Sequence, residues 1–194
     1  KVAIKRIIGK AARSKTAVQR FLTEAQSMAE LSHTNIVQIY DYGRATDGPF
    51  LIMECIQGGS LLEKCKAGPI KIDEAVSIFG QLCDGLAKAH AANIIHRDIK
   101  PANILLDGKK RSKIGDFGLA RFAEETEGEG IIFGTPDYTA PEVTKNPGAV
   151  DTRSDIFSTG VILYELLTGK LPEKNYVPAS QIEDVDPRFD KIVR

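Results

Sequence analysis

The run Val2-Ala3-Ile4-Lys5-Arg6-Ile7-Ile8 is rich in β-branched residues and stops at Gly9, which predicts a strand. Over 16–31, Phe21, Ala25, Met28 and Ala29 recur at helical spacing, so an amphipathic helix is expected there. Two further strands are read over 36–42 and 50–55, joined through the turn-rich Thr46-Asp47-Gly48-Pro49. Gln57-Gly58-Gly59-Ser60 then breaks the pattern and is the candidate interdomain hinge.

Beyond that break the pattern turns helical. Asp73 can cap a helix running to His90, with Val76, Phe79, Cys83, Leu86 and His90 on one face. Over 94–116, short apolar runs alternate with polar turns, the pattern of small hairpins and loops. Residues 117–141 show no period and several glycines, as a long functional or disordered loop does. The stretch 154–168 is apolar nearly all round (Ile156, Phe157, Val161, Ile162, Leu163, Leu166, Leu167) and ends at Gly169. Such a helix is expected to be a buried central post.

Composition narrows the class. The 194 residues carry 26 Lys+Arg against 26 Asp+Glu, with 42% hydrophobic and 27% charged residues, which is ordinary globular usage. Zero net charge argues against nucleic acid as the main partner. Charge is uneven locally: 1–20 hold seven basic residues and no acid, while 124–129 hold four Glu. Cys55, Cys65 and Cys83 form no CxxC pair, and the three His do not join them at ligand spacing. That predicts reduced thiols, a cytoplasmic setting and no zinc site. No apolar run approaches the roughly 18 residues of a membrane helix, and no signal peptide opens the chain. Lys1 stands inside a strand-like run without a preceding Met, so the chain is expected to be cut from a longer one.

The chemistry concentrates in His96-Arg97-Asp98-Ile99-Lys100-Pro101-Ala102-Asn103, which sets a carboxylate, an amine and a carboxamide within a few loop positions. Thirteen residues past Asn103 comes Asp116-Phe117-Gly118, and Ala140-Pro141-Glu142 follows. Taken singly these have plain readings: Asp98 as a turn residue, Lys5 and Glu24 as surface charge, Asp116-Phe117-Gly118 as a tight turn. In this order, and with Val2-Ala3-Ile4-Lys5 ahead of them, the chain resembles the protein kinase family over essentially its whole length. Arg20-Phe21-Leu22-Thr23-Glu24-Ala25 and the runs 96–106 and 154–169 are most similar to the bacterial serine/threonine branch.

The resemblance implies an α+β, two-lobed kinase fold: a partial catalytic domain over 1–194, with a small β-rich lobe over 1–56 and a mostly helical lobe over 57–194. It implies transfer of the ATP γ-phosphate to protein Ser/Thr hydroxyls, with Mg²⁺. Asp98 would be the catalytic base and Lys100 would neutralise the moving phosphoryl. Lys5 would hold the α/β-phosphates and pair with Glu24, and Asn103 and Asp116 would hold the metal. Met53 stands at the gatekeeper position, so the backbone of Glu54 and Ile56 would meet the adenine edge, between Ala3 and Leu105. Met28, Ile39, His96 and Phe117 would stack as an apolar column.

In the activation segment the resemblance assigns Arg97 a basic pocket, Thr135 a hydrogen bond to Asp98 and Lys100, and Glu142 an arginine partner beyond Arg194. Glu127 and Glu129 fall where relatives carry phosphorylated threonines, with Thr126 the hydroxyl left nearby. They would stand in for phosphate, or simply form a solvated acidic loop. Partners implied are ATP, a Ser/Thr protein substrate and a second copy for autophosphorylation. The setting implied is the cytoplasm, for a separate enzyme or the inner part of a membrane-anchored receptor kinase. Two departures stand out: no glycine-rich loop precedes Val2, and 171–190 is short and proline-punctuated. The chain as given is therefore expected to be weak or inactive, and Glu142 to be an unpaired buried acid costing several kcal/mol. The rival reading is a pseudokinase or scaffold that binds nucleotide or partners without turnover.

Overall fold

The computed structural model describes residues 1–68, 70–109, 111–117, 135–173 and 175–193. Its first layer is a three-stranded antiparallel sheet of β1 (Val2–Arg6), β2 (Ile39–Ala45) and β3 (Gly48–Glu54), in the order β1-β3-β2. The register sets Ala3 opposite Met53 and Lys5 opposite Leu51. A short helix, α1 (Lys10–Arg13), leads into α2 (Lys15–Ala29). Ser14 caps α2 by accepting from the Ala17 amide, and Val18, Phe21, Ala25 and Met28 form its buried face.

The second strand starts at Ile39, three residues later than the sequence suggests. Residues 35–37 give their backbone bonds elsewhere: Ile114 N donates to Asn35 O at 2.8 Å, and Val37 N donates to Ile114 O at 2.9 Å. This connection is thus tied to β5 (Ser112–Ile114), which pairs with β4 (Ile104–Leu106) in a separate hairpin.

The helical part begins with α3 (Leu61–Ala67), an element the apolar period did not reveal. Ser60 and Glu63 close a capping box at its start, a signal that the Ser-x-x-Glu spacing carries. Next, α4 (Ile72–Ala91) starts at Lys71, and Asp73 sits in its first turn rather than capping it. Its buried face is Ala75, Ile78, Leu82, Leu86 and Ala89; of the expected stripe Leu86 is buried, Phe79, Cys83 and His90 are half-buried, and Val76 is exposed. Small residues explain the difference. At Gly85 a Cβ would already meet Ile114 Cδ1 at 2.9 Å and Asn35 O at 3.0 Å, so this is the face that approaches β5 closely. Phe79 packs instead into a second cluster with Leu163, Tyr164, Leu167, Ala179 and Val185.

After α5 (Pro141–Lys145) comes α6 (Thr152–Thr168), capped by Asp151 and closed by Gly169 at φ 68°. Its apolar ring is real from Val161 onward because two cores flank it. Val161, Ile162 and Leu166 belong to the main cluster, and Leu163, Tyr164 and Leu167 to the second. The expectation of burial on all sides fails in the first turns, where Ile156 is 61% and Phe157 42% exposed. Among the described residues of 171–190, only short 3₁₀ turns occur, at Ala179–Gln181 and Pro187–Lys191.

Candidate active site

His96 is fully buried and organises the loop that follows α4. Its Nε2 lies 2.8 Å from Gly115 O, its Nδ1 accepts from the Asp98 amide at 3.2 Å, and its ring centre lies 4.6 Å from that of Phe117 with the planes tilted by 52°. Burial pushes its pKa below the ordinary histidine value, against the pull of Asp155. Met28, Ile39 and Phe117 are buried in the same cluster and line one small cavity behind Met53.

The loop backbone hangs from α6. Asp155, 1% exposed, accepts from the amides of His96 and Arg97, each at 2.8 Å, and faces His90 Nε2 at 2.8 Å. Arg97 sits at φ +71°, a conformation rare for a side-chain-bearing residue, so these bonds hold strained backbone in place. Asp116 is likewise at φ +56°.

Asp98 is held on three sides. Asn103 Nδ2 donates to its carbonyl at 2.8 Å and to Oδ2 at 3.0 Å, and Lys100 Nζ reaches Oδ2 at 2.8 Å. Lys100 Nζ also donates to Thr135 Oγ1 at 3.0 Å, so of the two contacts expected of Thr135 the one to Lys100 is present, and the one to Asp98 is not formed. The β4–β5 hairpin brings the second carboxylate to the same place, since Gly115 N donates to Asn103 O at 2.8 Å just before Asp116.

The expected Lys5–Glu24 pair is not formed. Lys5 Nζ lies 2.8 Å from Asp116 Oδ1, and Glu24 Oε1 faces Arg97 Nη1 at 3.8 Å. The basic side chain of Arg97 therefore points at α2. All four groups are partly exposed, so these pairings are individually weak and exchangeable. Ala3, Met53, Glu54, Ile56 and Leu105 are all half-buried. Ala3 and Met53 are cross-strand neighbours, and Leu105 bridges Ser60, the residue that caps α3. Glu142, expected as a buried acid, is exposed, so no burial penalty attaches to it. Thr126, Glu127 and Glu129 lie outside the described residues.

Sequence reasoning missed several supports. Lys113, whose side chain is 9% exposed, places Nζ 2.9 Å from Glu54 Oε2 and 3.5 Å from Ile36 O. Asp155, an acid buried inside an apolar helix, was visible only as an anomaly of pattern. Asn35 Nδ2 bonds both Gln81 Oε1 and Ser112 O, joining the loop after α2 to α4 and β5. Tyr138 donates to Glu165 at 2.6 Å, and burial together with that carboxylate raises its pKa. Cys65 is pushed up to about 11, chiefly by burial, and is no reactive thiolate at neutral pH. Among the described residues no cluster of three or more His, Cys, Asp or Glu forms a metal site, and no helix is long and apolar enough to cross a membrane.

Residues 1–191 match the family described as protein kinase domain. The chain is 37% identical over 210 residues to serine/threonine-protein kinase PknL of Mycobacterium tuberculosis, covering 99% of this chain and 52% of that protein. It is 40% identical over 174 residues to PrkC of Bacillus subtilis, covering 88% of this chain and 27% of that one. Rad53 1–466, solved in complex with AMP-PNP, superposes with a TM-score of 0.71 at 31% identity, over 91% of this chain and 43% of Rad53. The chain spans about half the length of the PknL relative. With the sheet, the helical lobe and the Asp98–Asn103–Asp116 geometry in place, the chain belongs to the protein kinase family, in its bacterial serine/threonine branch.

Proposed function

We propose that this chain is the catalytic part of a serine/threonine kinase, moving the γ-phosphoryl of ATP to a protein Ser or Thr hydroxyl. The observation that carries the reading is the fixed Asp98 carboxylate. Asn103 and Lys100 both engage Oδ2, which leaves Oδ1 to accept a hydroxyl proton. In the step, the substrate O–H proton passes to Asp98. The hydroxyl oxygen bonds phosphorus as the bond to the β-phosphate oxygen breaks, and ADP leaves. Lys100 stands beside Asp98, where charge shifts on to the transferring group.

Asp116 and Asn103 suit Mg²⁺, a hard cation that takes one or two carboxylates plus phosphate oxygens. Both Asn103 bonds to Asp98 run through Nδ2, so its oxygen is the atom turned outward. When bound, Mg²⁺ would neutralise phosphate charge. Lys5 would leave Asp116 for the α/β-phosphates, and Glu24 would leave Arg97 to support it. The lobe boundary is read after Ile56. Ala3 and Leu105 then enclose adenine, Met53 stands behind it, and the Glu54 and Ile56 backbone meets its edge.

Incubation with γ-labelled Mg-ATP and a basic test protein tests this. Label on Ser or Thr, lost on adding EDTA, is expected. Tight Mg-ATP binding with no transfer would favour a scaffold.

A further inference from the structure

The linker between the lobes carries two glycines that a sequence reading takes for a flexible joint. The structure ties them down. A Cβ added at Gly58 would stand 2.2 Å from Leu106 O and 3.0 Å from the Leu106 carbonyl carbon, both backbone atoms that cannot swing aside. One residue on, Gly59 O accepts from Leu106 N at 2.9 Å, and Ser60 bridges Leu105 in antiparallel fashion. Ser60 then caps α3, with Glu63 Oε2 bonding back to its amide at 2.8 Å, and Leu61 is fully buried. At the other end of the linker, Lys113 holds Glu54 at 2.9 Å, and the Glu54 amide donates to Gln38 O at 2.9 Å. Lys113 lies on β5 and Leu106 on β4, so both ends of the linker are fastened to one hairpin. That same hairpin spaces Asn103 from Asp116.

We infer that Gly58 is a positioning residue: its missing side chain lets the linker lie against β4, which fixes the height of the slot between Ala3 and Leu105. The inference rests on the reading of that slot as the adenine site. Relieving the contact in Gly58→Ala requires a shift of roughly 1 Å, and a gap of that size forfeits a large part of the dispersion contact to a ring. The loss therefore falls on adenine binding and not on the phosphate end. Gly108, just past the far end of β4, has open space where a methyl group would sit, with nothing within 4 Å, and serves as control.

The test uses the full chain, with Gly58→Ala and Gly108→Ala beside wild type. In Gly58→Ala, KM for ATP and the inhibition constant of adenosine should both rise about tenfold, while inhibition by Mg-tripolyphosphate stays within about twofold. Gly108→Ala should match wild type in all three. Equal weakening of adenosine and tripolyphosphate, or a lowered melting temperature with an unchanged adenosine constant, would overturn the inference. A second arm needs no variant. Hydrogen exchange at the Leu106 amide should be slow without nucleotide and unchanged by it. A Leu106 amide that exchanges freely until Mg-ATP is added would make the glycines a joint, and the inference would be wrong. That arm reads the linker even if the chain transfers no phosphate, so the two proposals fail separately.

Discussion

Replacing Asp155 by Ala removes the acceptor on which the 96–103 loop hangs. The carboxylate is 1% exposed and takes two backbone amides and His90 Nε2, all at 2.8 Å. Each buried amide left without a partner costs about 1–3 kcal/mol, so the two together, with the loss of the His90 contact, come to roughly 3–6 kcal/mol. Relaxation of the Arg97 backbone from φ +71° returns part of this, which keeps the net loss toward the lower half of that range. That is a large share of the roughly 5–15 kcal/mol by which a domain is stable. Urea unfolding followed by circular dichroism should show the midpoint lowered by about 2 M for a typical slope of ~2 kcal/mol/M. Asp155→Asn, which keeps the shape and one oxygen, should lose about half as much. A midpoint for Asp155→Ala within about 0.5 M of wild type would refute the reasoning, since the two amides must then find other partners.

Breaking the Lys113–Glu54 pair should show strong coupling. Lys113→Met alone should cost about 2–4 kcal/mol, somewhat below the full value for a buried pair because Glu54 is 27% exposed, while Lys113→Met/Glu54→Gln should lie within about 1 kcal/mol of wild type. Additive losses in that double-mutant cycle would remove the pair from the account. Acid should also destabilise the fold through His96. Its pKa is lowered in the folded state, so below about pH 6.5 the unfolded chain binds the extra proton and stability falls as pH falls. Melting temperatures between pH 7.5 and 5 should fall less steeply in His96→Gln than in wild type, and identical slopes would assign the acid loss elsewhere.

The elements that the sequence made legible are those whose burial follows one period. The strand β1 (though it ends at Arg6, two residues short of the apolar run), the face of α2 and the stop of α6 at Gly169 all rest on local rules. Where two partners compete for a segment, pattern alone misleads. Residues 36–37 look like strand but bond β5, and the stripe of α4 is rotated by the close approach at Gly85. In the site, the loop residues 96–103 could be found because their chemistry is dense in sequence. The supports could not: Lys113 to Glu54 spans 59 positions and Asp155 to His96 spans 59. The exchange of Lys5 to Asp116 and of Glu24 to Arg97 is likewise a matter of how α2 sits, which no spacing encodes.

The central claim is that Asp98 takes the proton of the acceptor hydroxyl. Transfer of labelled γ-phosphate by the full chain should fall by a factor of about 10²–10⁴ in Asp98→Asn, with the dissociation constant of Mg-ATP, measured calorimetrically, within about threefold of wild type. Transfer within about tenfold of wild type, at equal nucleotide binding, would contradict the account and leave the three contacts around Asp98 without a catalytic purpose.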